Sequence, residues 1–186
     1  MERKPTEILE EEHRVIQKVV GAIAVLAEEV EGGRDVKPET FQEVVEFMRT
    51  FADKCHHGKE ETHLFPMLVK KGVPVRGCPM GILIAEHQRG RVLVSELANA
   101  SEKYAAGDTS SRKALLQTLQ NLRTLYPDHI WKEDYLLFPM TDKILSPEEQ
   151  KDLHEKFEMV EKDMGEDVHH RFGQLAEKLE KRIQGS

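Results

Sequence analysis

His56 and Glu60 stand four residues apart, and so do His129 and Glu133. On a helix that spacing sets the two side chains one above the other on a single face, so an imidazole nitrogen and a carboxylate can bind one cation from the same helix. The two pairs belong to an internal repeat without gaps. His56-His-Gly-Lys-Glu60-Glu-Thr-His-Leu-Phe65-Pro66-Met67 aligns with His129-Ile-Trp-Lys-Glu133-Asp-Tyr-Leu-Leu-Phe138-Pro139-Met140, and both read His-x-x-Lys-Glu-x-x-x-Leu-Phe-Pro-Met. Glu12-His13 and Glu86-His87 each add a histidine from elsewhere in the chain. Imidazole with carboxylate suits iron, manganese or zinc. Two carboxylates able to bridge favour a paired centre over a single closed zinc site. The two cysteines, Cys55 and Cys78, make neither a thiolate site nor a disulfide framework.

A second pair, His57 and Glu61, has the same spacing. Counting back from His56 by α-helical steps gives Ala52, Met48, Val45 and Phe41, an apolar row. The same count from His57 gives Asp53, Thr50, Arg49 and Glu46, a polar row. The rows and the repeat select His56 and Glu60 as ligands and leave His57 and Glu61 as supporting or surface groups. The expected metal ligands are therefore His13, His56, Glu60, His87, His129 and Glu133. Burying two carboxylates unpaired would cost several kcal/mol each, a penalty that bound metal removes. His63 matches Leu136 in the repeat and is expected in the core or at the rim. His154, His169 and His170 are expected at the surface, Cys55 against a helix neighbour, and Cys78 in an exposed loop.

These residues must be positioned by helices, because the periodicity is helical nearly throughout. Leu9, His13, Ile16, Val20, Ile23 and Ala27 mark one face of a first helix, about 6–30, which Glu31-Gly-Gly-Arg-Asp35 ends. A second helix starts near Pro38 and runs to about Lys70. The loop Lys71-Gly-Val-Pro-Val-Arg-Gly-Cys-Pro79 leads to a third, about 80–105, with Leu83, His87, Gly90, Val94 and Leu97 on one side. After Gly107-Asp-Thr-Ser110, the fourth turns Leu115, Leu119, Leu122, Tyr126, His129, Glu133 and Leu136 inward. Pro127 is expected to kink or break it, and the Phe-Pro-Met motifs to end their helices at the rim. Ser146-Pro-Glu-Glu149 reads as a capping box opening a fifth helix to about Met164. A last charged helix reaches about Ile183, its Glu177, Lys178, Glu180 and Lys181 forming a solvated face or a tail packed on a partner. The expected architecture is all-α: an up-down-up-down four-helix bundle over residues 1–145, carrying the paired metal centre, with a C-terminal helical extension over 146–186.

EEHRVI around His13, HHGKEETHLFP around His56 and Glu60, AEHQRGR around His87, and DHIWKEDYLLFP around His129 and Glu133 together resemble the hemerythrin-like, His-His-Glu cation-binding family over about Thr6–Met140. The resemblance implies two non-haem iron ions (Fe2+/Fe3+), oxo- or hydroxo-bridged, and a small diatomic ligand (O2 or NO) or peroxide. Oxygen-carrying members use five histidines and two carboxylates. Four histidines in register bring this chain closer to the di-iron proteins of nitric-oxide stress and iron–sulfur repair. The leading function is binding or reduction of such a ligand for sensing or stress defence. Reversible oxygen storage is one alternative, and an iron-sensing module with a protein partner on the C-terminal extension is another. Tyr126, close to His129, is within reach of an iron-bound ligand. The net charge of -7 argues against a nucleic-acid partner. The absence of a long apolar run argues against a membrane span, and no signal peptide is visible, so the cytoplasm is the expected location.

Overall fold

Pro5, Pro38 and Pro147 each stand in the first turn of a helix, where a missing N–H costs nothing and the fixed φ favours helix entry. They open α1 (Pro5–Glu31), α2 (Pro38–Phe47) and α7 (Pro147–Met164). α7 begins as the sequence signals: the Ser146 hydroxyl accepts from the Glu149 N–H, and the Glu149 carboxylate accepts from the Ser146 N–H. The structure is a computed structural model that describes residues 3–77, 79–165 and 167–184, with side chains described to 181; Cys78 lies outside the described residues.

α2 runs on past Phe47. Through π1 (Met48–His57), Gly58 and Lys59, π2 (Glu60–Leu64) and α3 (Phe65–Lys70) it forms one continuous helical rod over 38–70. The fourth rod is built the same way, from α5 (Ser111–Lys132), π3 (Glu133–Leu137) and α6 (Phe138–Ile144). Each copy of the repeat thus carries a π segment from its glutamate to the leucine before Phe-Pro. Proline lacks an N–H, and its ring clashes with the carbonyl four residues back in an α-helix. A π turn bonds five residues back instead, so the wider turn ahead of Pro66 and Pro139 accommodates both rings. The Phe-Pro-Met motifs therefore lie inside their rods rather than ending them. Pro127 likewise sits within α5, which continues unbroken. The π3 turn also corrects one inward position: Leu137 is buried and Leu136 is 40% exposed, because the extra residue moves the core face on by one.

α4 (Met80–Ala105) packs on α5, α5 on α1, α2 and π1 on α4, and π1 on α1, so four rods close a ring. Two apolar clusters fill it. One gathers Ile16, Phe51, Leu93, Leu122 and their neighbours, the other Leu9, Leu64, Leu83, Leu137 and theirs. In every rod the histidine falls between residues of these two clusters. The chain after Ser146 belongs to the same packing. α8 (Val168–Gln184) inserts Phe172, Ala176 and Leu179 into the first cluster against α1 and α2, and α7 adds Leu153 and Phe157 to the second. Glu177, Lys178 and Lys181 face solvent as expected, while the opposite face of α8 covers the chain's own core. No strand occurs among the described residues, and no helix is long and apolar enough to cross a membrane.

Candidate metal centre

Between the two apolar clusters, five histidines and two glutamates converge: His13, His56, His57, His87, His129, Glu60 and Glu133 are each at most 3% exposed. They fall into two groups. His13, His56 and Glu133 bring their ligating atoms together on one side, and His57, His87 and His129 do so on the other, with Glu60 and Glu133 beside His87. Glu133 spans the groups. Its Oε2 lies 3.0 Å from His13 Nε2, and its Oε1 lies 3.2 Å from His129 Nε2 and 3.6 Å from His87 Nε2. Glu60 Oε2 lies 3.9 Å from His56 Nε2 and 3.4 Å from His87 Nε2.

His57 is the residue that sequence reasoning missed. The polar row behind it was counted in α-helical steps, but residues 48–57 are π-helical, and the wider turn carries both His56 and His57 inward. The His57 ring stacks on His87 at 3.8 Å and meets His129 at 5.5 Å. The centre therefore gathers five imidazoles, where the sequence reading counted four.

Each of the five is fixed from behind. Nδ1 of His13 lies 2.6 Å from Asp134, of His56 3.0 Å from Glu12, of His57 3.4 Å from Asp53, of His87 2.7 Å from Glu61, and of His129 3.1 Å from Glu86. An imidazole that donates Nδ1–H to a carboxylate keeps the Nε2 lone pair free and aimed, the arrangement usual behind metal-bound histidine. The internal repeat extends into this outer layer. Lys59 bonds Glu12, the acceptor of His56, and Lys132 bonds Glu86, the acceptor of His129. Phe65 stacks on His87, and Phe138 stacks on His13. Lysine, glutamate and phenylalanine of the motif thus each have a place, matched contact for contact between the two copies. The invariance of Lys and Phe between the copies was the available signal for it. His57 breaks the symmetry, since its counterpart in the second copy is Ile130.

The centre has polar atoms with nothing to bond. Both carboxylate oxygens of Glu60, Oε1 of Glu133 and Nε2 of His56 are buried without a hydrogen-bond partner. Buried orphans of this kind are costly in a folded chain, and a cation at the centre would satisfy all four. The donor set fits. Burial, then the facing Glu133 carboxylate, pushes Glu60 well above the ordinary carboxylate range. Burial works the same way on Glu133, but His129 and then His13 and His87 hold it well below. The two facing carboxylates are thus pushed in opposite directions, Glu60 toward the protonated form and Glu133 toward the ionised one. Burial, with His13 nearby, takes His56 down to about 4, and burial with His87 takes His57 well below its usual value, so both are neutral, the metal-ligating form. Burial disfavours charge on His13 as well, yet Asp134 and Glu133 raise it to about 9. Metal uptake must displace that proton.

Tyr126 closes the three-histidine side. It is buried, its ring lies parallel to His57 at 6.4 Å, and Gly90 lets it approach α4, for a Cβ there would meet its hydroxyl at 3.1 Å. A cavity of about 230 Å³ walled by Arg49, Asp53, Arg91 and Val94 reaches down to His57 and Tyr126. Of the other histidines, His63 is half-buried at the rim and His154 pairs with Glu158. His169 is no bare surface group: its Nε2 lies 3.4 Å from Glu12 and 3.7 Å from Cys55. Cys55 is buried, donates to Glu12 at 3.8 Å, and has its thiol pushed by burial and the Glu12 carboxylate up to about 12.

An all-helical chain with buried, carboxylate-backed histidines around two glutamates is a helical cation-binding protein. It belongs to the hemerythrin family, matching the hemerythrin HHE cation binding domain over residues 4–141. An uncharacterized protein of Mycobacterium tuberculosis and one of Mycobacterium bovis are each 27% identical to it over 168 residues, 90% of this chain and 62% of the relative. The chain thus spans less than two thirds of the length of these curated relatives. No solved structure matches it significantly.

Proposed function

We propose that this chain is a non-haem di-iron protein, an up-down-up-down bundle of its four rods, that binds or reduces a small diatomic molecule (O2 or NO) or a peroxide. The observation that carries the reading is the span of Glu133, whose two oxygens address different histidine groups, while a single oxygen of Glu60, Oε2, lies between His56 and His87. A carboxylate so disposed is suited to bridge two ions, and sites of this kind are built in bundle cores from facing helices. His13 and His56 would hold one ion, and His57, His87 and His129 the other, with Glu60 and Glu133 shared.

Bound iron would supply one-electron redox chemistry and coordination positions open to a small ligand. The chain's own residues do the rest. Five carboxylates hold the imidazoles in one tautomer and one direction. The two apolar clusters keep bulk water away, which strengthens every electrostatic contact inside. The protein offers three imidazoles on one side and two on the other, because Ile130 stands where the repeat would place a fifth-ligand counterpart. The His13–His56 side is therefore the less saturated one.

Anaerobic titration with Fe2+ and elemental analysis test the reading, with about two irons per chain expected. Saturation at one iron would refute the dinuclear centre. Turnover with nitric oxide or peroxide supports reduction, and a stable oxygenated spectrum without turnover supports storage.

A further inference from the structure

The two halves of the centre match as far as their lysines and then diverge. Lys132 and Glu86, behind His129, are 22% and 18% exposed at the side chain and end in solvent. Lys59 and Glu12, behind His56, are 0% and 3% exposed, and their chain of contacts continues into the C-terminal helices. Lys59 Nζ lies 2.5 Å from Glu12 and 2.6 Å from Glu161 of α7, and over the ring of Phe157 of α7 at 5.8 Å. His169 of α8 lies 3.4 Å from Glu12 and 3.6 Å from Glu161. We infer that Glu161 and His169 are positioning residues for the His56 side of the metal centre, acting through Lys59 and Glu12.

The argument is one of satisfaction. An ammonium has three donors and no acceptor, and a fully buried one is costly unless charged partners surround it. Glu12 gives Lys59 one oxygen and gives its other to His56. Glu161 is the second carboxylate on Lys59, so Glu12 need not turn further toward the lysine and can keep its bond to the imidazole. Without Glu161, Lys59 draws on Glu12 alone, and His56 loses its fixed direction. The second half has no such need, because water reaches Lys132. Seating of α7 and α8 and occupation of the His56 side therefore favour one another, and that coupling is reciprocal by linkage.

This rests on the di-iron reading above, so its test begins by counting irons in the unaltered full chain. Anaerobic Fe2+ titration against a competing chelator then compares Glu161→Gln, Glu161→Gln with His169→Ala, Glu161→Asp and Lys178→Ala. The last breaks the surface Lys178–Glu43 ion pair on α8 and leaves the buried contacts intact. Loss of an outer partner of a metal ligand weakens binding about 10- to 100-fold. We expect Glu161→Gln to weaken one of the two irons about tenfold and leave the other unchanged. Glu161→Asp should recover part of the loss, and Lys178→Ala should change neither iron. Fe2+ should also slow amide exchange in α7 and α8 of the unaltered chain, and less so in Glu161→Gln. Both irons weakening together, an equal loss in Lys178→Ala, or unaltered affinity in Glu161→Gln would each overturn the inference. An unaltered chain that binds two irons separates those outcomes from failure of the centre itself; one that takes up no second iron overturns both.

Discussion

A histidine whose Nδ1 is held by a carboxylate is a prepared ligand, and this chain prepares five. His57 is prepared like the rest, so His57→Ala should weaken one iron of the pair about tenfold or more, measured by the same Fe2+ titration. An unchanged isotherm would return His57 to a supporting role. Glu12 carries a pH consequence. Burial alone would raise it, but the His56 imidazole and the Lys59 ammonium bring it from 4.5 down to about 2. A carboxyl group lowered on folding stabilises the chain above its unfolded value and loses that contribution as pH falls toward the folded one. In metal-free protein, stability on the order of 3 kcal/mol should drain away between pH 4.5 and 2. Urea midpoints at pH 6 and pH 3 should therefore differ less in Glu12→Gln than in the unaltered chain. The repeat made His56, Glu60, His129 and Glu133 readable, because their spacing is local. Which carboxylate serves which imidazole was not readable: Glu12 adjoins His13 but holds His56, and Asp134 adjoins Glu133 but holds His13. Those pairings cross between rods, and no spacing along one helix records them.

At the scale of elements, the helix starts and stops were legible where Pro, Gly and Ser mark them, as at Pro38, Gly107 and the Ser146 cap. The π turns were not, because inward residues were counted with α-helical steps; that assumption moved Leu136 inward and His57 outward. The inward face of α8 also escaped notice. Its Phe172, Ala176 and Leu179 are spaced at four and three residues, yet charged neighbours outnumber them and lower the mean hydropathy of the segment. Phe172 has no exposed surface and meets Phe47 edge-on at 5.8 Å. Phe172→Ala should cost about 3–5 kcal/mol, the usual penalty for emptying a buried aromatic site, read from urea unfolding. A cost below about 1 kcal/mol would mean that α8 is an appendage rather than part of the core.

For the molecule as a whole, a cation held at the centre would act as a brace. Without a cation, buried orphan oxygens lie at the middle of the bundle, so anything bound only by the folded state stabilises it by mass action. The midpoint of thermal unfolding should be clearly higher for iron-loaded than for iron-free protein by calorimetry. The gap should narrow below about pH 6 as protons compete for imidazole; equal midpoints would place the metal outside the core. The π turn has a hereditary consequence. A turn that bonds five residues back holds more residues than an α turn, so deleting one residue from 48–57 would let that stretch run as ordinary α-helix while both flanks keep their register. Only one of two adjacent histidines could then face inward. A single codon deleted there is thus expected to turn a centre of five imidazoles into a centre of four.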